Sequence, residues 1–532
     1  MNFESFFPVD YEPTSQQEFI LHELNKAKAN NYKYIVINAS TGSGKSLIAK
    51  TISNYIGDTS EGYKEFVYSD AIFELEEDEV DTVPKEGSVI LTMTKSLQDQ
   101  YMNLFPECSC LKGKSNYPCM KNEEVSCDLG QCVFEKIPFQ CEDCIYYNTR
   151  REAVANQCGL YSYSMFMSLP PACRIKKAII CDEASELEDI LVQSYTMDFN
   201  FKLFKTLKLY IPPTPNKNCN YNDYILWLQA FKTSIFESLQ EIKLKINKKK
   251  TVKKEEKLKY RALKLISEKC TKLLDISPNT EFIIEHHENG LTFKPFKVDK
   301  IAQNLFENAD LVVFMSATII DHKNFAKQLG IRENEYYYIE SPSVFDPKKA
   351  PIKLSDKICV TYANKALTVP KISALANKIC DIHKGQKGII HTHSMDITNE
   401  VKKQCKKSRF LFREPGITNE ILLQQHFESN KPTVLVSPSM THGVDLKGDT
   451  GEFAIIMKAP FLPLGDERIK RLFEEDKDWY VDKMLSTFIQ MCGRTIRSAE
   501  DHSITYVLDG TLTKKLIEYK DRIPKYIQER FC

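Results

Sequence analysis

The stretch Tyr34-Ile-Val-Ile-Asn38-Ala39-Ser-Thr-Gly-Ser-Gly-Lys45-Ser46 decides the fold. Its first five residues form a short apolar run that reads as a buried strand. Ala39-x-x-x-x-Gly44-Lys45-Ser46 fits a phosphate loop, with Ala in place of the usual first Gly. A helix is predicted from Ser46 to about Ile56. Strand, glycine-rich loop and helix must come in that order, because backbone N–H groups at the helix N-terminus cradle phosphate oxygens. Gly42 and Gly44 belong to that cradle. Lys45 is expected to neutralise the β- and γ-phosphates and Ser46 to ligate magnesium, so ATP and Mg2+ are the expected ligands.

The other half of the site lies far downstream. Lys177-Ala-Ile-Ile-Cys-Asp182 reads as a strand ending in the pair Asp182-Glu183. The C-terminal end of a strand is where an α/β sheet presents groups to a ligand. Asp182 is expected to hold magnesium, mostly through water, and Glu183 to orient and deprotonate the attacking water. Near the C-terminus, Gln490-Met-Cys-Gly493-Arg494-Thr-Ile-Arg497 places two arginines three apart on one helix face. Arg494 and Arg497 read as arginine fingers reaching a γ-phosphate across a cleft, with Gln490 beside them. Catalysis would then depend on closing two lobes.

Composition narrows the class. The 532 residues suggest three or four units at about 150 residues each. Hydrophobic residues make up 42% and charged residues 27%, as in an ordinary globular protein. No stretch approaches the roughly 20 apolar residues that cross a bilayer, and Met1-Asn-Phe-Glu-Ser-Phe-Phe lacks the pattern of a secretion signal. With 72 basic and 72 acidic residues, any nucleic-acid binding must use a local groove, not a global field. Seventeen cysteines without such a signal argue for a reducing, cytoplasmic setting and for metal binding over disulfides.

Further strands are predicted at Ser88–Thr94, Leu311–Thr318, Gly388–His393, Thr433–Ser437, Phe453–Met457 and Ile504–Leu508. The acidic run Glu74–Asp81 reads as a solvated loop. From about 190 to 295, leucine and isoleucine recur at helical spacing among many lysines, which predicts a helical insertion. Its basic run Lys248–Lys254 suits either a solvated helix face or a DNA contact. Eight cysteines fall between Cys108 and Cys158, inside the split ATP site. That density does not suit eight small buried residues.

Taken in order, the motifs resemble superfamily 2 DNA helicases of the XPD/DinG type over nearly the whole chain. Leu91-Thr-Met-Thr94-x-x-Leu97-Gln98-x-Gln100 resembles motif Ia, and Ser316-Ala317-Thr318 resembles motif III. Ser341-Pro342-Ser-Val-Phe345, Gly443-Val444-Asp445-Leu446 and Gln490 to Arg497 resemble the second-lobe signatures. Leu111-Lys-Gly-Lys-Ser-Asn116-Tyr117-Pro-Cys119 is similar to the family's entry into its iron–sulfur domain. Three positions depart: Ser185 replaces the histidine of the Asp-Glu-Ala-His box, His442 precedes Gly-Val-Asp, and Ser162-Tyr163 replaces Asn-Tyr. In relatives that histidine couples the ATP site to motif III.

The resemblance implies an α/β fold with two RecA-like parallel-sheet lobes, an inserted Fe–S cluster domain and a mainly helical arch domain. The expected boundaries are 1–104, 160–190 and 296–325 for the first lobe, 105–159 for the cluster domain, 191–295 for the arch and 326–532 for the second lobe. It implies a 4Fe–4S cluster held by four thiolates. Cys119 is the first choice, Cys144 the next, and Cys141 and Cys132 complete the set, with Cys127 the rival of Cys132. Zinc is the competing metal, since Cys141-x-x-Cys144 suits it. Tyr11-Glu-Pro13-x-x-Gln16-Gln17 resembles an adenine-reading Q-motif, with Gln16 preferred and Gln17 the alternative.

A helicase groove combines phosphate contacts with aromatic stacking. Lys95, Gln98, Lys112, Lys114, Tyr146, Tyr147 and Arg150 are the candidates, although each alone reads more readily as an ordinary surface or packing residue. The expected activity is ATP-driven movement of a monomer on single-stranded DNA, 5′ to 3′ by resemblance, with opening of tailed duplexes. RNA and DNA–RNA hybrids stay open as substrates, and no membrane role is expected. The alternatives are a DNA-stimulated translocase that remodels nucleoprotein or R-loops without unwinding, and a zinc-stabilised nucleic-acid-binding ATPase switch. Because the phosphate loop begins at residue 39, no N-terminal exonuclease domain is expected.

Overall fold

The computed structural model describes residues 2–57, 64–65, 72, 83–130, 143–247, 254–343, 346–405, 408–414, 417–438, 446, 448–496 and 500–532. Among these, the apolar runs become strands of two parallel sheets. The first holds seven strands, in the order Tyr336–Glu340, Tyr34–Asn38, Leu311–Ser316, Ala178–Asp182, Ser88–Thr92, Cys158–Ser162 and Ser109–Leu111. All neighbours pair in parallel. A parallel sheet is covered on both faces, which is why its strands read as continuous apolar runs and not as alternation. Val36, Leu91 and Ile179 pack into one core, while Ile35, Ile90 and Ile180 pack into the other.

The second sheet holds six described strands, in the order Ile352–Ile358, Ile504–Asp509, Phe453–Ile456, Gly388–His391, Val434–Ser437 and Phe410–Phe412, again all parallel. The fold is thus α/β with two RecA-like lobes. No helix among the described residues is long and apolar enough to cross a membrane.

Two expected boundaries move. Tyr336–Glu340 pairs along Tyr34–Asn38, so the first lobe runs past residue 325. Ser109–Leu111 and Cys158–Ser162 form the far edge of the same sheet, so both ends of the span 105–159 belong to that lobe. In each case a strand completes the sheet edge, and that pairing cannot be read from local composition.

The insertion after residue 190 is mixed, not purely helical. Helices Tyr221–Asn247 and Lys254–Ile276 pack on each other and on an antiparallel sheet of Met197–Asn200, Gly290–Pro295 and Phe282–His287. Its core is aromatic: Trp227 stacks on Phe231 at 5.4 Å, and Phe199 meets Phe231 edge-on at 5.6 Å. The run Glu74–Asp81 and residues 248–253 of the basic run lie outside the described residues.

The lobes meet through a buried ion cluster. Glu188, on helix Leu187–Ser194 of the first lobe, accepts from Arg468 at 2.7 Å and from the Trp479 indole at 2.9 Å. Lys483 lies 3.0 Å from the same carboxylate and 2.8 Å from Asp189. Glu188 and Arg468 each keep 5% of their side-chain exposure. Burial alone would raise the Glu188 pKa, but the charges of Lys483 and Arg468 outweigh it and hold it down at about 2.

Removing one member of such a cluster strands the others. Glu188→Ala is therefore expected to cost about 3–5 kcal/mol of stability, measured by denaturant unfolding of the full chain. The native pKa of Glu188 lies below its ordinary value of 4.5, so its contribution is complete above about that pH and fades as pH falls towards 2. A loss under about 1 kcal/mol at neutral pH would show that the cluster does not fasten the lobes.

Candidate nucleotide and nucleic-acid site

The phosphate loop has the predicted geometry. Strand Tyr34–Asn38 leads into it, and helix Lys45–Ile56 leaves it. Gly42 and Gly44 take left-handed φ values of 77° and 75°, a region that only glycine enters freely. The Lys45 ammonium lies 3.2 Å from the Ala39 carbonyl and 3.3 Å from that of Ser40, folded over the loop where a phosphate would sit. The Ser43 hydroxyl is buried without a partner among the described residues.

Asp182 ends the strand Ala178–Asp182, beside the loop. One carboxylate oxygen accepts from the Tyr101 phenol at 3.0 Å, the other from the Glu183 N–H at 2.9 Å. The Tyr163 phenol donates to the Asp182 carbonyl at 2.9 Å. Burial, then the neighbouring charge of Glu183, raises the Asp182 pKa to about 6, against the pull of Lys45 and Tyr101. A buried carboxylate short of positive charge, close to the loop that carries Ser46, fits a magnesium ion. Glu183 itself holds a left-handed φ of 51°, a strained conformation for a residue with a Cβ.

Ser185 keeps the connection to motif III through hydroxyl groups. Its Oγ lies 2.9 Å from the Thr318 hydroxyl and accepts from the Ser316 hydroxyl at 2.9 Å. The next residue, Glu186, accepts from the Gln490 amide at 2.5 Å, and Gln490 also reaches Thr318 at 3.5 Å. The Thr41 hydroxyl donates to the Ile496 carbonyl at 3.3 Å. The segment 490–496 therefore faces the phosphate loop across the cleft. The other amide atom of Gln490, its Oε1, is buried without a partner among the described residues. Arg494 lies close enough to His391 that its charge, after burial, helps push the imidazole pKa down to about 3. Arg497, His442 and Gly443 to Asp445 lie outside the described residues.

Both N-terminal glutamines are buried. The Gln17 side chain completes the capping box with Thr14 and donates to the Gly44 carbonyl at 3.3 Å. Gln16 donates to the Pro342 carbonyl and lies 3.5 Å from the Ser40 hydroxyl.

In the cysteine block, Cys119, Cys127 and Cys144 are buried. The sulfurs of Cys127 and Cys144 are 3.5 Å apart. A Cβ on Gly130, which follows the short helix Cys127–Leu129, would lie 2.9 Å from the Cys119 sulfur and 3.2 Å from the Cys127 carbonyl, so a larger residue there would crowd both cysteines. Cys132 and Cys141 lie outside the described residues, and among those described no group of three or more ligands converges on one point. The donors are soft thiols in a buried setting, which fits iron or zinc.

Of the DNA-path candidates, four come together. Lys114 donates to the Tyr147 hydroxyl at 2.9 Å and stands 4.6 Å from the ring centroid, with Arg150 at 4.9 Å over the same ring. Tyr146 packs edge-on against Tyr147 at 5.3 Å. Lys95 and Lys112 make exposed surface contacts with Asn116 and Asp99, at 2.7 Å each. Gln98 is buried. Sequence reasoning missed Tyr101, Glu186 and Glu188, since nothing local marks a tyrosine or glutamate that meets its partner only through the fold.

A Helicase C-terminal domain family matches residues 376–530. The chain is 24% identical over 282 residues to a probable ATP-dependent helicase of Methanocaldococcus jannaschii, covering 48% of this chain and 42% of that protein. It is 25% identical over 245 residues to the ATP-dependent DNA helicase YoaA of Escherichia coli, covering 42% of this chain and 37% of YoaA. These matches span about half or less of the relatives' length. Among solved structures, Xpd4 of S. tokodaii superposes with a TM-score of 0.57 at 13% identity, covering 97% of this chain and 98% of that one. The chain thus shares with these helicases a fold of two facing parallel lobes and, over residues 376–530, a helicase C-terminal domain. In sequence it is similar to these two ATP-dependent helicases over less than half of its length.

Gly44→Ala tests the loop. A Cβ there would clash with the Gln17 amide nitrogen, on a φ of +75°. The expected cost is about 1–3 kcal/mol, read as a lower melting temperature together with weaker binding of a fluorescent ATP analogue. Unchanged values for both would contradict the described loop.

Proposed function

We propose that this protein is an ATP-dependent DNA helicase that moves 5′ to 3′ on single-stranded DNA and opens tailed duplexes, acting as a monomer in a reducing, cytoplasmic setting. The observation that carries the reading is the junction of Gln490 with Glu186 and of Ile496 with Thr41, which seats the second lobe on the phosphate loop. ATP bound there would lie between the lobes, so its hydrolysis can move one against the other.

Gly42, Gly44 and Lys45 bind the phosphates, and Ser46 and Asp182 hold the magnesium. Magnesium supplies charge neutralisation at the β- and γ-phosphates when bound. Glu183 orients a water and takes its proton. Gln490, with its unpartnered buried Oε1, stands beside that water, while Arg494 and Arg497 act as the arginine fingers. Gln16 reads the adenine. The hydroxyls of Ser185, Ser316 and Thr318 link the hydrolysis site to the motif III segment.

The cysteine-rich insert is proposed to hold a 4Fe–4S cluster as a structural cross-link. The contact between Cys127 and Cys144 supports Cys127 as a ligand with Cys119 and Cys144, and leaves the fourth place to Cys132 or Cys141. The cluster of Lys114, Tyr146, Tyr147 and Arg150 supports a stacking platform for a single strand beside it. The domain division is proposed as expected above, with the two moved boundaries.

Lys45→Ala is expected to abolish DNA-stimulated hydrolysis while the circular dichroism spectrum stays native. Near-normal turnover in a folded variant would overturn the ATP site. Cys119→Ser is expected to lose iron and unwinding but to retain part of the hydrolysis. Full iron retention would remove Cys119 from the ligand set, and zinc without iron or sulfide in the parent protein would favour the zinc-stabilised switch.

A further inference from the structure

One ten-residue helix, Lys95–Leu104, touches both the cysteine-rich insert and the carboxylate proposed for magnesium. On its outer face, Lys95 donates to Asn116 and Asp99 pairs with Lys112, each at 2.7 Å. On its inner face, Tyr101 is fully buried, packed 6.2 Å from Phe105. Its phenol donates to Asp182 at 3.0 Å, and Ser46 stands close enough to act on the phenol's titration. A phenol both donates and accepts, so one hydroxyl can bridge a carboxylate and a serine. Those are the two groups proposed to hold one cation.

We propose that Tyr101 is a positioning residue for magnesium–nucleotide: its phenol sets the spacing of Ser46 and Asp182, and the helix makes that spacing depend on the seat of the cysteine-rich insert. The proposal rests on the ATP-site reading above. A rigid helix transmits a displacement from end to end, so moving Asn116 and Lys112 displaces the phenol with them. Tyr101 then acts through the two ligands without touching the nucleotide.

The test uses the full chain and a fluorescent non-hydrolysable ATP analogue, titrated with excess Mg2+ and again with EDTA. Tyr101→Phe removes only the hydroxyl. It is expected to reduce the Mg2+-dependent gain in affinity about tenfold, and to leave affinity in EDTA and the melting temperature unchanged. An unchanged gain, or an equal loss in EDTA, overturns the proposal. Asp182→Asn separates the two readings: if that variant keeps the full Mg2+ gain, the ATP site itself is misassigned. Lys95→Ala/Asp99→Asn, on the exposed face, is expected to raise the Mg2+ concentration for half-maximal binding about two- to threefold. No shift in it removes the link to the insert.

An independent observation marks the root of the same insert. The sulfurs of Cys108 and Cys158 lie 3.1 Å apart, both buried, one at each end of the segment that carries the cluster cysteines. Cys158 lines a cavity of about 500 Å³ together with Lys50, Glu107, Ser109 and Glu152. The Lys50 ammonium pairs with Glu107 at 2.8 Å. The hydrogen bond from Cys108 lowers the Cys158 pKa against the effect of burial, with Ser53 and Lys50 helping.

The geometry points to Cys108 and Cys158 as an oxidative modification site for hydrogen peroxide, closing a disulfide across the root of the insert. The Cys158 sulfur attacks one oxygen of hydrogen peroxide, the O–O bond breaks, and the leaving hydroxide takes the thiol proton and departs as a first water. The Cys108 sulfur then attacks the sulfenic sulfur, the S–O bond breaks, and a second water leaves. The two thiols lose two electrons, and the peroxide gains them. Such a bond would fix the insert to the first sheet without the cluster.

Hydrogen peroxide is added to the full chain, which is then alkylated, digested without reductant and examined by mass spectrometry. A peptide cross-linked through Cys108 and Cys158 is expected, lost on reduction and absent from Cys158→Ala. Absence of the cross-link in the parent protein, or pairing of Cys158 with another cysteine, overturns the assignment.

Discussion

The eight residues 182–189, which begin on the last residue of a strand, carry five carboxylates, and much of the surrounding structure is arranged to satisfy them. Asp182 and Glu183 face the phosphate loop, Glu186 faces Gln490, and Glu188 and Asp189 face Lys483. Buried anions must be paired, because their desolvation costs several kcal/mol each. The second lobe supplies Arg468 and Lys483 to the far end of the segment. Among the described residues no cation bonds Asp182, and burial, then the charge of Glu183, raises its pKa. One end of the segment thus contacts the second lobe, and on the proposed reading the other receives a cation and phosphate. Under that reading a single short segment both touches the second lobe and senses the nucleotide.

At position 185 the serine hydroxyl meets Ser316 and Thr318 within the first lobe. Glu186, one residue on, makes the crossing to Gln490. Two neighbouring side chains thereby connect the hydrolysis site to motif III on one side and to the second lobe on the other.

Much of this was legible in the chain. The phosphate loop, the strands flanking it and the carboxylate pair follow from apolar runs ending in ligand-bearing residues, and the structure brings Lys45, Asp182 and Gln490 to one cleft. The edge strands Ser109–Leu111, Phe410–Phe412 and Tyr336–Glu340 were not legible, because short strands gain their meaning from pairing. The insertion reads as helical because lysine-rich helices dominate its composition, while Phe282-Ile-Ile-Glu-His-His287 carries only three apolar residues to mark a strand. Tyr101 looks like one more helix-face aromatic until the fold places Asp182 beneath it. Lys95 and Lys112 pair with Asn116 and Asp99 on the exposed surface, contacts that the sequence does not mark.

The central claim is that nucleotide-driven motion of the two lobes pulls one DNA strand past the cysteine-rich insert. The most direct measurement is unwinding by anaerobically purified protein, with ATP and magnesium, on duplexes carrying a 5′ or a 3′ single-stranded tail. The account predicts opening of the 5′-tailed duplex alone. Opening of neither, with hydrolysis still stimulated by single-stranded DNA, would contradict it and leave a translocase whose insert does not part strands.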